Sequence, residues 1–273
     1  MGSHRDESTN AGWVAPPQKI ELRTNEVHVW RVLIDRVSNL KSLAAILSSA
    51  EAGKADRFHF ADDRTRFIVT HGVLRDLLGQ YLGSDPASLR FVPNDCGKPF
   101  LVQEPATEVI HFNISHSRGI ALLAFACGRE LGVDVEHVRP EFAELDIARR
   151  FFAPEEVADL LALDETLRVD GFFNCWTRKE SYIKARGMGL SLPLDSFHVS
   201  LQPGSVAALL GDRGNPIEAS RWELRELSPG ENYFGAITVE GRDWLLRTLE
   251  WSEERFSGSL SEPHEGASVS YGG

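Results

Sequence analysis

The chain has few cysteines, and none of them belongs to a motif. Cys96, Cys127 and Cys175 are odd in number, far apart and without a Cys-x-x-Cys pair, so neither a disulfide framework nor a thiolate zinc site is supported. Three unpaired thiols in a reducing compartment are expected. Long apolar runs are also missing. Nothing approaches the ~20 residues that a membrane span needs, and no charged-then-apolar leader opens the sequence. Gly-x-Gly-x-x-Gly and Gly-x-x-x-x-Gly-Lys-Ser/Thr do not occur, which removes the usual dinucleotide and Walker-type sites. The Gly-x-Ser-x-Gly elbow of serine hydrolases is missing too. These absences describe a soluble, cytoplasmic protein with no membrane partner.

An excess of positive charge is missing from both halves, and acids dominate the second. Residues 1–130 hold 15 Lys+Arg and 15 Asp+Glu; residues 131–273 hold 14 and 25, so they carry the whole net charge of −11. Duplex nucleic acid, whose binding rests on phosphate neutralisation, is therefore not an expected partner. The rest is ordinary globular composition: 273 residues, 42% hydrophobic and 25% charged, enough for a sizeable core.

The pattern along the chain divides it into four stretches. Residues 1–18 are a polar, flexible lead whose Met1-Gly2-Ser3-His4 has the look of a tag remnant. An N-terminal half spans 19–130 and a C-terminal half 131–251. Residues 252–273, with Glu253, Glu254, Glu262 and Glu265 among Ser and Gly, read as a disordered acidic tail. The first half begins with a strand over 26–34 and a helical stretch over 38–55. A strong helix follows from Asp62-Asp63 to Gly83, with acids in its first turn and Gly at its end. Strands are expected near 109–114 and 121–125. In the second half a helix through Trp176 ends at Gly187, and short alternating strands follow near 197–201, 222–227, 233–239 and 244–247. The class is α+β. Arg57-Phe58-His59-Phe60-Ala61-Asp62-Asp63 has an echo in Arg150-Phe151-Phe152-Ala153-Pro154-Glu155-Glu156. In both, an aromatic cluster precedes an acid-rich helix start, which raises the question of internal pseudo-symmetry.

Chemistry concentrates in two segments. In Gly132-Val133-Asp134-Val135-Glu136, a strand points both acids to one face, roughly 6.5–7 Å apart. In Trp176-Thr177-Arg178-Lys179-Glu180-Ser181-Tyr182-Ile183-Lys184, helical spacing stacks Trp176, Glu180 and Lys184. Exposed acids and an i,i+4 pair worth ~0.2–0.5 kcal/mol are the ordinary reading of such segments. Against that, Asp is a poor strand residue and sits in an apolar segment. Trp176 also predicts a buried helix face, where an unpaired carboxylate is expensive. Brought together, Asp134, Glu136 and Glu180 suit a hard divalent cation, with Lys184 left for phosphate oxygens. Asn113-Ile114-Ser115-His116-Ser117 reads either as a turn closed by side-chain hydrogen bonds or as an anion site. Gly97-Lys98-Pro99 has the composition of a turn.

These segments, in order, closely resemble the 4′-phosphopantetheinyl transferases. Asn-Ile-Ser-His, Gly-Val-Asp-Val-Glu, Arg-Phe-Phe followed by Glu155-Glu156, Trp-Thr-Arg-Lys-Glu-Ser-Tyr-Ile-Lys and Gly-Leu-Ser-Leu-Pro-Leu all match. The likeness runs from about Lys54 to about Leu246 and is to the larger, monomeric class that activates peptide and polyketide synthases. It implies two similar α/β halves related by a pseudo-twofold axis, with the active site in the cleft between them. It also implies coenzyme A as substrate and transfer of its 4′-phosphopantetheine arm to a serine of an apo acyl or peptidyl carrier domain, releasing 3′,5′-ADP. Carried over, Asp134, Glu136 and Glu180 would hold Mg²⁺, with Mn²⁺ as the alternative. Lys184 would face the phosphates. Lys98, Ser115 and His116 would bind the nucleotide end, and Lys54 would be a further basic contact. Glu180, a metal-bound water or Lys184 would take the serine proton. The acidic helix of a carrier would meet an Arg149-Arg150 and Arg178 patch, the neutral first half, or apolar contacts of the second half. Rival readings are a metal-dependent phosphodiesterase and a silent coenzyme A binder.

Overall fold

The computed structural model describes residues 12–103, 109–213, 215 and 217–256. The first half contains β1 (Glu26–Leu33), α1 (Leu40–Ala45), α2 (Ser49–Ala55), α3 (Ala61–Leu82), β2 (Phe91–Pro93), β3 (Pro99–Leu101), β4 (Ile110–Ser117) and β5 (Ile120–Cys127). Then come β6 (Leu131–His137), α4 (Leu145–Phe151), α5 (Pro154–Ala162), α6 (Arg168–Arg186), β7 (Phe197–Val199), β8 (Leu209–Asp212), α7 (Glu218–Arg221), β9 (Trp222–Leu227), β10 (Tyr233–Glu240) and β11 (Leu245–Glu250). The mixed helix and sheet content agrees with the α+β reading. Among the described residues, no helix is long and apolar enough to cross a membrane.

Two sheets organise the molecule, in the orders β11-β1-β5-β4 and β6-β10-β9. Strand β5 is buried along its whole length, because both its faces are covered. Ala121, Leu123, Phe125 and Cys127 pack under α3, beside Phe67, Leu74 and Leu78. Ile120, Leu122, Ala124 and Ala126 face Leu131, Val133, Val135, Ile237 and Val239 of the second sheet. Two-sided burial explains why this strand reads as a continuous apolar run without alternation. Helix α3 carries Asp62 and Asp63 in its first turn and ends at Gly83 in the left-handed region, φ +62°. Both features were expected from the sequence. The helical stretch over 38–55 is two helices, because Ser48 and Glu51 form a reciprocal capping box that starts α2 afresh.

Several expectations about the ends and the halves need correcting. Strand β11 pairs in parallel with β1, so the chain's last described strand belongs to the first sheet. Within the lead, Trp13 donates to Ser228 O at 2.7 Å, and Val14 bridges to Leu249. Within the tail, Glu253 accepts from the backbone N–H groups of Ser38 and Asn39, and Phe256 is buried in the first core. Residues 1–11 and 257–273, which make up the remainder of both segments, lie outside the described residues. The internal echo leads into helices of unequal length, 22 residues in α3 and nine in α5. It therefore does not extend to an element-for-element repeat.

Helix α6 lies on the face of β6 that carries Gly132, Asp134 and Glu136. A Cβ at Gly132 would overlap Ser181 O and Ala185 N. The missing side chain lets the helix backbone touch the strand, and this contact brings Glu180 and Lys184 over the strand's acids.

Candidate active site

The edges of the two sheets meet at strands β4 and β6 without a backbone ladder. Asn113 Oδ1 accepts from Val133 N at 2.9 Å, Ser115 Oγ from Val135 N at 3.4 Å and Ser117 Oγ from His137 N at 3.1 Å. Period-two side chains of one strand thus satisfy the free edge N–H groups of the other, which would otherwise be unpaired. The same two hydroxyls donate to the acids: Ser115 to Asp134 Oδ1 at 2.9 Å and Ser117 to Glu136 Oε2 at 2.9 Å. Of the two sequence readings of this segment, side-chain hydrogen bonding is realised, though along a strand and between sheets rather than in a turn. Asn113 and Ser117 had no assigned role; their alternation with Ser115 was the available signal.

Lys184 completes the centre. Its ammonium donates to Asp134 Oδ1 at 2.7 Å, Ser115 Oγ at 2.9 Å and Val133 O at 3.3 Å. With three acceptors for three protons, it is positioned as a fixed cation. Asp134 is buried, and its second oxygen, Oδ2, has no hydrogen-bond partner. Glu180 and Glu136 are half-buried nearby. Burial, then the charge of Asp134, pushes the Glu180 carboxyl up to about 7, and Lys184 only partly offsets this. Glu136 is likewise raised, first by burial and then by Asp134, against the Ser117 hydrogen bond. The helix face bearing Trp176, Glu180 and Lys184 is half-buried rather than buried as expected; the fully buried lysine of this motif is Lys179.

Three carboxylates from a strand and a helix repel one another here, and a buried oxygen among them lacks a partner. That donor set, all oxygen and anionic, fits a hard divalent cation. As the side chains stand, no three His, Cys, Asp or Glu groups among the described residues converge closely enough to hold one. Asp134 turns one oxygen to Lys184, and Glu136 turns to Ser117, which keeps the acids apart.

The raised carboxyl fixes the sign of a pH effect. Glu180 has an ordinary value of 4.5 and about 7 when folded, so the folded state holds the proton more tightly. Stability therefore falls as pH rises from 4.5 through about 7, by about 3 kcal/mol for this group. Between pH 5 and pH 8, metal-free Glu180→Gln is therefore expected to lose less melting temperature, or gain more, than the parent protein. Adding Mg²⁺ should raise the melting temperature at pH 8 and leave it unchanged at pH 5. Calorimetry at both pH values checks this, and equal effects of the ion at both would exclude the carboxylates as its site.

The nucleotide-end residues separate into two groups. His116 is exposed on β4, yet its pKa is lowered, first by the surrounding protein and then by the neighbouring basic side chains Lys184, Arg66 and His71. Arg66 and His71 had not been assigned from the sequence. His71 stacks on Phe67 with ring centroids 4.0 Å apart, and the Lys54 ammonium lies 5.1 Å from the same ring. These groups make one basic neighbourhood. Lys98 is elsewhere: its ammonium reaches Glu130 Oε2 at 2.8 Å, Leu131 O at 3.1 Å and Ala185 O at 3.3 Å. It ties the start of β6 to the last turn of α6. Burial would raise the Glu130 carboxyl, but His111 and Lys98 outweigh it and bring it down to about 2. Arg178, offered above as a surface contact, is buried and bound to Ser200 O and Glu226, whereas Arg149 and Arg150 are exposed.

Two family models match the chain. One described as "4'-phosphopantetheinyl transferase, N-terminal" covers residues 35–127, and one described as "4'-phosphopantetheinyl transferase superfamily" covers 130–238. The chain is similar to 4′-phosphopantetheinyl transferase HetI of Nostoc sp. (strain PCC 7120), with 38% identity over 233 residues, 85% of this chain and 95% of that one. It is also similar to 4′-phosphopantetheinyl transferase Sfp of Bacillus subtilis (strain 168), with 36% identity over 181 residues, 66% and 78% of the two chains. A further Bacillus subtilis 4′-phosphopantetheinyl transferase is 38% identical over 185 residues, 67% and 80% of the two.

Proposed function

Because the chain belongs to the 4′-phosphopantetheinyl transferase superfamily, we propose that it moves the phosphopantetheine arm of coenzyme A onto a serine of an apo acyl or peptidyl carrier domain. The observation that carries this reading is the placement of Asp134 and Glu136 on the face of β6 that α6 covers with Glu180 and Lys184, with a buried Asp134 oxygen that has no hydrogen-bond partner. Asp134, Glu136 and Glu180 would hold Mg²⁺, or Mn²⁺, which would supply Lewis-acid neutralisation at the pyrophosphate.

The residues divide the remaining work. Lys184, fixed by three acceptors, offers a positive charge where the leaving 3′,5′-ADP gains its negative one. Its saturated ammonium is unsuited to taking a proton. Glu180, directly or through a water beside the cation it would help to hold, would accept the serine proton. The serine oxygen then bonds to the β-phosphorus as the bond to 3′,5′-ADP breaks. His116, Arg66, His71 and Lys54 suit the 3′-phosphate, and an anion among them would restore the proton that the neighbouring cations disfavour on His116. Lys98 is assigned to clamping α6 on β6 instead of to a phosphate. The proposed acting form is a monomer.

The experiment is intact-mass spectrometry of an apo carrier domain incubated with this protein, coenzyme A and Mg²⁺, with and without EDTA. A gain of about 340 Da, the mass of the arm, only when the metal is available is expected. No gain across acyl and peptidyl carriers would overturn the proposal.

A further inference from the structure

Glu51 on α2 is a half-buried carboxylate to which the proposed reaction gives no role. Along α3, Phe67, His71 and Arg75 recur every four residues and share one face. Glu51 meets that face and divides its two oxygens. Oε2 accepts from Ser48 N at 2.8 Å, Ser48 Oγ at 2.7 Å and Arg75 Nε at 2.8 Å, with Arg75 Nη2 a further 2.7 Å contact. Oε1 faces His71 Nδ1 at 3.5 Å. Burial would raise this carboxyl, but His71, Ser48 and Arg75 outweigh it and bring it down to about 2. Glu51 is therefore anionic at neutral pH.

Oε2 alone meets the structural needs. It starts α2 and neutralises Arg75, whose side chain is only 1% exposed. Oε1 is left for the imidazole. The His71 ring is held from a second direction as well, stacked on Phe67 with centroids 4.0 Å apart and planes 29° apart. A ring so stacked, with a carboxylate at Nδ1, has a fixed plane and a fixed tautomer: the Nδ1 proton points at Glu51. Nε2 is the nitrogen left for a ligand. His71 lies close enough to His116 to affect its charge, which sets the ring beside the proposed 3′-phosphate. We propose that Glu51 is a positioning residue that acts through His71, orienting the imidazole and favouring its charged form for the 3′-phosphate of coenzyme A. The inference rests on the coenzyme A reading of the site. With phosphate at Nε2 and carboxylate at Nδ1, both nitrogens carry protons and the imidazolium sits between two anions. Without Glu51, the nearby cations Lys54 and Arg66 would disfavour that second proton.

The test is calorimetric titration with two ligands, coenzyme A and 3′-dephospho-coenzyme A, which differ only in that phosphate. The parent protein should bind coenzyme A about tenfold or more tightly than the dephospho form. Glu51→Gln keeps the shape and the acceptor at the start of α2 but removes the charge. It should cut the preference by about threefold to tenfold while binding of the dephospho form stays within about twofold. His71→Phe, which keeps the stack on Phe67 and removes both nitrogens, should do the same. In the double variant the preference should fall no further than in His71→Phe alone, because the ring through which the carboxylate acts is gone. If Glu51→Gln melts below the assay temperature, adding Arg75→Met removes the buried cation left unpaired and gives a second route to a folded protein. An unchanged or increased preference in a folded Glu51 variant would overturn the proposal. Equal weakening of both ligands would overturn it by reducing Glu51 to a structural role, and a further fall in the double variant would show that it acts without His71. Equal binding of both ligands by the parent would overturn it while leaving the coenzyme A reading in place. Absence of any binding by the parent would overturn that reading itself, and the inference with it.

Discussion

Asp134→Asn is expected to slow transfer by a factor of about 10²–10³, the usual loss when one preorganised charge at a reacting centre is removed. The substitution keeps shape and the capacity to accept from Ser115 and Lys184, so the seam between β4 and β6 should remain closed. It removes the negative charge that the partner-free Oδ2 would present to a cation. It also removes a charge that raises both Glu136 and Glu180. In the metal-free protein those carboxyls should then ionise at lower pH. Glu130→Gln provides the contrast, since Glu130 is anionic and lies in the Lys98 cluster away from the reacting groups. Steady-state rates against pH for both variants decide the matter. Near-parental turnover in Asp134→Asn would remove this carboxylate from the mechanism.

Lys179→Met is expected to cost about 3–5 kcal/mol of stability, because it leaves a buried carboxylate without its cation. Lys179 and Glu156 are both almost wholly excluded from solvent and are paired at 2.6 Å. Glu156 also accepts from Ala153 N and Val199 N, and Lys179 donates to Phe197 O. One ion pair therefore joins the start of α5, the middle of α6 and β7. The double variant Lys179→Met, Glu156→Gln should recover much of the loss, since the unpaired charge disappears with its partner. Urea unfolding of the two variants measures this. A loss below about 1 kcal/mol in the single variant would show that water or a neighbour compensates Glu156. Glu180 is the next residue along the helix, so the pair also sets the rotation at which that carboxyl meets the strand.

The sequence made the acids and their spacing legible because two periodicities are strict. Period two puts Asp134 and Glu136 on one face, and period 3.6 aligns Glu180 with Lys184. It made α3 legible through first-turn acids and a terminal glycine. What it hid depends on which elements become neighbours. Gly132 reads as a weak strand residue until α6 is seen to rest on it. Asn113, Ser115 and Ser117 look like turn formers because nothing local reveals that β6 offers them an unpaired edge. Lys98 and Arg178 carry charges that suggest solvent or phosphate, yet each is engaged by carbonyls and a carboxylate from elements distant in sequence. Strand β11 alternates as any edge strand does, and its pattern does not say which sheet it will join.

That strand has a consequence for how the protein is made. The first sheet is closed by Leu245–Glu250 lying beside β1, and Trp251 and Phe256 fill the core beneath it. During synthesis the opening half must wait, with one edge of β1 bare, until almost the whole described chain has left the ribosome. Pairing at such long sequence separation is slow to nucleate, and an uncovered edge invites wrong partners meanwhile. Cutting the gene between the two halves would thus leave the first without its outer strand. A permuted chain that begins at β11, which Val14 already bridges at Leu249, would bring that strand to the start of its sheet.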